Sequence, residues 1–301
     1  MRPTGGRFGD QTPTALLMAG PALLGLSLFV LLPFLLALAM AFTNLRLGSP
    51  LPLEFVGLKQ FQRIFSDPGF LHALANNLIF ALGVVPLQTA LALGLALLLH
   101  RRLWGTVIYR TLFFMPVVFP MSLVAVVWVL IYAPGPEAMM NTLLDTLSFG
   151  HWRPRDFLRD PDLALPAIML LSLWQGAGFQ MVILLAGLQA IPRELQEAAT
   201  LDGAGSWRRL FHITLPLLRN PLIFVMLITT ILAFRLFDQV QIMTRGGPGD
   251  TTATVMYEMV QALFTRQQVA RASAMTVVFF LLVLLVTWLQ RRLARQEQEH
   301  P

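Results

Sequence analysis

The chain has 301 residues, 56% of them hydrophobic and only 13% charged, which is too apolar for a soluble globular protein with a solvated surface. It has no Cys, so disulfides, thiolate metal sites and a Cys nucleophile are excluded. The net charge of +6 raises nucleic-acid binding as a reading, but its distribution along the chain gives a better explanation, and no nucleic acid is needed.

A transmembrane helix needs about 20 mostly apolar residues, and six stretches qualify: 15–42, 71–99, 107–132, 163–188, 215–243 and 272–289. The expectation is an all-α, polytopic membrane protein with a six-span domain over 15–293 and short tails, 1–14 and 294–301. Six spans put both termini on one side. Twelve Lys and Arg fall on that side, including Arg101, Arg102, Arg208 and Arg209, against nine on the other, while the acids divide six against nine. The side of the termini is therefore expected to be cytoplasmic by the positive-inside rule. All of the net charge sits on that face, where anionic lipid headgroups and an acidic partner would both be served.

The first span follows Arg2 and Arg7 and ends near Ala39, Met40 and Ala41, which also reads as a small-x-small cleavage site. Its apolar run exceeds the roughly 7 to 15 residues of a secretory signal, favouring a retained span. Prolines fall inside the spans at 33, 86, 116, 120 and 166. Such breaks suit either a water-lined pathway or irregular packing between helices. Turn signals follow the third span, at Ala133-Pro134-Gly135-Pro136, and the fifth, at Gly246-Gly247-Pro248-Gly249-Asp250.

Polar groups within spans are candidates for a solute path: Asn76, Asn77, Gln88, Gln175, Gln180, Arg235, Asp238, Gln239 and Gln241. Arg235 and Asp238 are three apart. On a helix they would share a face and neutralise each other, or one of them would touch a hydroxylated or phosphorylated solute. The five His (72, 100, 151, 212 and 300) fall in loops or at span ends, and neither HExxH nor GxSxG occurs. No catalytic or metal site is expected.

Residues 191–216 form a charged loop between the fourth and fifth spans. Pro192 suits the first turn of a short helix, with Glu194 and Glu197 near its positive end. Gly203 accepts the left-handed conformation that ends such helices, and Ser206 would cap a second helix over 206–213. Pro216 would then open the fifth span. Ala198 and Ala199 keep one face low enough for a partner to approach, while Glu197 offers a carboxylate beside them. An amphipathic linker lying on the headgroups is the other reading.

Glu197-Ala198-Ala199, three residues, Gly203, nine residues, Ile213, one residue and Leu215-Pro216 resembles the EAA motif of the permease subunits of binding-protein-dependent ABC importers at every fixed position. Leu188-Gln189-Ala190-Ile191-Pro192 before the motif and the Gly-Gly-Pro turn after the fifth span resemble the carbohydrate-uptake branch, which includes the maltose and glycerol-3-phosphate permeases. The resemblance implies a type I importer fold. It also implies a coupling helix that docks on a cytoplasmic ATPase through Glu197, Ala198, Ala199 and Gly203, with Leu201 and Asp202 in contact. The implied partners are a second permease subunit, two ATPase subunits, an extracytoplasmic solute-binding protein and the lipid bilayer.

Walker-type phosphate loops require Gly-Lys before Ser or Thr, and the sole lysine, Lys59, sits between Leu58 and Gln60. ATP and Mg are thus expected on the partner ATPase, and no cofactor on this chain. Aligned with the maltose permease, the solute-contacting positions fall on Val117, Met121, Gln175, Gly176, Thr229, Leu232, Ala233 and Leu236. Val117, Met121, Ala233 and Leu236 cannot supply hydrogen bonds to a sugar, so the chain departs from that pattern; Gln175 and Thr229 retain the capacity. An ion-gradient-driven secondary transporter is the competing reading, although no internal repeat is evident and Asp238 is the sole embedded acid.

Overall fold

A computed structural model describes residues 12–100 and 105–296. Arg2, Arg7, Arg101, Arg102, His300 and most of both expected tails lie outside the described residues. The regular secondary structure among the described residues is helical, with one isolated bridge between Thr43 and Phe55. The chain divides into two compact units, one holding residues up to Ser66 and Gln261–Val278, the other Asp67–Val260 and the chain from Phe279.

In the first unit, α1 runs through Thr12–Leu26, a π-helical turn at Ser27–Leu31 and Leu32–Met40. Its apolar stretch Leu17–Met40 is unburied, the state expected of a helix whose neighbour is lipid. The short α2, Lys59–Phe65, is tied back by Gln60 Nε2, which donates to the Thr43 carbonyl at 2.9 Å. The N–H of Ala270 donates to the Leu45 carbonyl at 2.9 Å.

The second unit contains α3 (Pro68–His100), α4 (Thr106–Val118), α5 (Met121–Ile131), α6 (Met139–Leu147), α7 (Ala164–Gln189), α8 (Arg193–Leu201), α9 (Ser206–Leu217), α10 (Arg219–Phe234) and α11 (Val255–Val260). The last helix, α12 (Val269–Gln296), contributes its C-terminal part. Among the described residues four helices, α1, α3, α7 and α12, are long and apolar enough to cross a membrane. Two bent pairs pass the same test together: α4 with α5, bent by 98°, and α9 with α10, bent by 69°.

Both bends depart from the unbroken third and fifth spans expected from composition. At the first, Phe119 precedes Pro120 and is forced out of the helical region, with φ −79° and ψ 139°. Of the five prolines singled out, Pro120 alone stands at a break; 33, 86, 116 and 166 lie within helices. At the second, the helix runs through Pro216 to Leu217, and the span resumes at Arg219 instead of opening at Pro216. It then ends at Phe234, well short of residue 243.

The core joins α3, α7 and α10 through Ala92, Ala96, Leu99, Met181, Leu184, Leu188 and Val225, with Leu218 at the bend. Lipid is as apolar as leucine, so close packing has to hold such helices together, and small residues permit it. Gly178 on α7 faces the Phe113 carbonyl of α4, where any Cβ would collide with backbone. A Cβ at Gly187 would lie 2.8 Å from Pro221 Cγ and 2.9 Å from Leu218 Cδ2.

The loop after α5 is ordered by the buried Asn141. Its Nδ2 donates to the carbonyls of Gly135 (2.9 Å) and Arg155 (3.0 Å), and its Oδ1 accepts from Trp152 Nε1 (3.0 Å). Asn76 and Asn77 make similar bonds to backbone, and neither is among the residues that line the cavity described below. Asn76 Nδ2 donates to the carbonyls of Asp250 and Ala253, and Asn77 Oδ1 accepts the Val255 N–H at 2.8 Å.

Candidate functional site

Two features stand out, both within the second unit. The first is the α8–α9 hairpin. Pro192, with ψ 134°, sets α8 off from α7 and precedes the helix instead of occupying its first turn. The helix ends in a Schellman motif: the N–H of Ala204 donates to the Ala199 carbonyl (2.9 Å) and that of Gly203 to the Thr200 carbonyl (3.1 Å). Gly203 takes φ +75° with nothing within 4 Å of a built Cβ, so the left-handed backbone alone demands glycine there. Ser206 is the first residue of α9, not its cap; Gly205 holds the cap position.

Two side-chain bonds brace the hairpin. Gln196 Nε2 donates to Thr214 Oγ1 at 3.2 Å, and Arg209 Nη1 donates to Thr200 Oγ1 at 2.6 Å. Glu197, Ala198, Leu201, Asp202 and Gly203 are exposed, Leu201 to 89%. Ala199 is not: it is 9% exposed and faces the protein. The two alanines therefore do not share the open face expected of them, because successive helical residues point about 100° apart.

The second feature is a cavity of about 260 Å³ among α3, α4, α5, α7 and α10. Gln175, Gly176, Thr229, Leu232, Ala233, Arg235, Leu236 and Asp238 all line it, and so do Val117 and Met121. Positions scattered over more than a hundred residues of sequence thus meet around one space. One wall is a chain of amides. Gln88 Nε2 donates to the Ser172 carbonyl at 2.6 Å, while Gln180 Nε2 donates to Gln88 Oε1 at 2.9 Å and to Thr229 Oγ1 at 2.6 Å. Gln239 Nε2 reaches Ser172 Oγ at 3.4 Å. Three helices, α3, α7 and α10, are cross-linked through neutral groups that can each donate and accept.

Arg235 and Asp238 do not pair. The helix ends at Phe234, Arg235 is its C-cap, and residues 236–237 are irregular, so the three-residue spacing no longer places the two on one helical face. Both side chains are exposed at the cavity, and no ion pair between them occurs among the described residues. Ser172 was missed by sequence reasoning. Its signal was present, because 172, 175, 176, 179 and 180 repeat at three and four on α7 and so share a face.

Long apolar helices folded around a cavity walled on one side by amides, with a charged hairpin projecting from them, define a multi-pass membrane protein. The chain belongs to the binding-protein-dependent transport system inner membrane components, whose family model matches residues 88–298. A probable ABC transporter permease protein of Pyrococcus horikoshii is 31% identical over 93% of this chain and 95% of its own. The sulfoquinovosyl glycerol transport system permease protein of Agrobacterium fabrum is 35% identical over 96% of this chain and 92% of its own. In fold, the chain matches a crystal structure of a bacterial alginate ABC transporter in complex with alginate pentasaccharide-bound periplasmic protein. That match has a TM-score of 0.80 at 20% identity and covers 98% of this chain and 99% of the other.

Proposed function

We propose that the chain is one permease subunit of an ATP-driven, binding-protein-dependent importer for a sugar, an oligosaccharide or a related hydroxylated solute. Counting each bent pair as one span gives six, over 15–293, with both termini in the cytoplasm. A second permease subunit completes the path, two cytoplasmic ATPase subunits supply ATP and Mg, and an external binding protein delivers the solute. The exposed residues of α8 and its Gly203 end form the coupling surface; the cavity holding Gln175, Thr229, Arg235 and Asp238 lies on the solute path. Closure of the ATPases then rocks the core helices between outward-open and inward-open forms.

The observation that carries this reading is the rooting of the hairpin. α8 presents Glu197, Ala198, Leu201 and Asp202 outward, and the hairpin's two ends, α7 and the bend after α9, are packed against each other at Gly187, Leu188 and Leu218. A push on α8 is therefore passed to the helices that line the cavity.

Because the chain has no native Cys, a Leu201→Cys variant in the reconstituted complex gives a clean test. It should cross-link to an ATPase subunit and resist an impermeant thiol reagent applied from outside. Labelling from outside would overturn the orientation, and continued import with no cross-link except to lipid would overturn the coupling role.

A further inference from the structure

We propose that a cleft at the foot of the α8–α9 hairpin binds the phosphate-bearing headgroup of an anionic phospholipid. The cleft is half open, has a volume of about 990 Å³ and lies where α3 and α7 end, at His100 and Gln189. Its lining joins the basic residues Arg193, Arg209 and His100 to apolar ones that include Leu97 and Ile191. Among the described residues no Asp or Glu lines it, although Glu194 and Glu197 stand elsewhere on α8. Neither arginine forms an ion pair among the described residues. Arg209 is aimed by its bond to Thr200 Oγ1, and its Nε–H is shielded from solvent without an acceptor.

Guanidinium groups suit phosphate because their planar fork meets two of its oxygens at once. Inorganic phosphate would occupy a small part of this volume and leave the apolar residues bare. A phospholipid covers both kinds, with its phosphate among the arginines and the start of its acyl chains along Leu97 and Ile191. The location fits as well, since the cleft begins where two apolar spans stop, the level at which headgroups lie. Trp207, which lines the cleft and is 74% exposed, stacks on Phe211 with ring centroids 6.1 Å apart, an arrangement suited to the membrane–water boundary. Because the cleft wall is drawn from α3, α7, α8 and α9, a bound lipid would brace the hairpin against the ends of the spans.

The test uses the purified transport complex with equal amounts of phosphatidylglycerol and phosphatidylcholine, read by native mass spectrometry. Phosphatidylglycerol should be retained preferentially. Arg193→Gln combined with Arg209→Gln should weaken its retention roughly tenfold, whereas Arg193→Lys with Arg209→Lys should keep the preference. Equal retention of the two lipids, or a glutamine pair that holds phosphatidylglycerol as the wild type does, overturns the proposal. Inorganic phosphate that displaces phosphatidylglycerol completely at millimolar concentration would reassign the cleft to a free anion. If the glutamine pair fails to assemble, a fluorophore on Ser206→Cys decides the matter: quenching by brominated phosphatidylglycerol should exceed that by brominated phosphatidylcholine, and equal quenching overturns the proposal.

Discussion

The side-chain amide of Gln88 crosses α7 at Gly176, occupying the place where a Cβ would stand, to reach the Ser172 carbonyl at 2.6 Å. Glycine at 176 and glutamine at 88 are thus two halves of one arrangement. Gly176→Ala is expected to displace the Gln88 amide, break its bonds to Ser172 and Gln180, and destabilise the chain by about 1–3 kcal/mol. Thermal unfolding in detergent measures the loss. Adding Gln88→Ala should recover part of it, and no recovery would mean that Gly176 serves some other contact.

Gly203 gives a prediction about coupling. Valine at φ +75° costs about 1–2 kcal/mol in backbone strain and undoes the Schellman end of α8. Gly203→Val, like Glu197→Lys, is expected to abolish ATP-driven uptake into proteoliposomes while the amount of chain in the membrane stays unchanged. Uptake at the wild-type rate in either variant would remove the hairpin from the transport cycle.

The separation of Arg235 and Asp238 predicts what a charge swap will not do. A true pair would tolerate Arg235→Asp with Asp238→Arg, because the attraction survives reversal. Here both groups face the cavity independently, so each single neutralisation, Arg235→Gln or Asp238→Asn, should alter solute preference in competition uptake assays. The swap should restore nothing, and restoration would reveal a pair formed during transport.

Gly178 and Asn77 test packing and loop anchoring. Gly178→Leu places a side chain against the Phe113 backbone, which cannot yield as a flexible side chain would, and α4 should separate from α7. The expected readout is rapid proteolysis within α4. Asn77→Ala removes the acceptor of the buried Val255 N–H and should cost about 1–3 kcal/mol, with faster hydrogen exchange at Val255.

The unbroken helices α3 and α7 were legible because each is a long apolar run bounded by turn or charged residues. The breaks were not, except at Pro120: Pro216, Arg219, Asn220 and Pro221 flank Leu218, but prolines at 33, 86, 116 and 166 stay within helices, so such residues do not by themselves mark a bend, and no Gly or Pro near Phe234 announces that the helix stops. That one omission explains the misreading of Arg235 and Asp238 as helical neighbours. The cavity positions on α7 were visible through their spacing. The cross-link from Gln88 to Gln180, 92 residues apart, depends on tertiary packing that no local pattern encodes. Likewise the EAA spacing marked α8 as special but could not say that Ala199 turns inward, since that depends on where the hairpin folds back.

The amide wall of the cavity has an energetic corollary. Glutamine side chains neither take up nor release a proton across the physiological range, so Gln88, Gln175, Gln180 and Gln239 give a proton gradient nothing to act upon. Under the proposed nucleotide-driven cycle, a protonophore that collapses that gradient should leave uptake by the complex unchanged. The two exposed ionisable groups at Arg235 and Asp238, opposite in sign, give membrane voltage little net charge to pull.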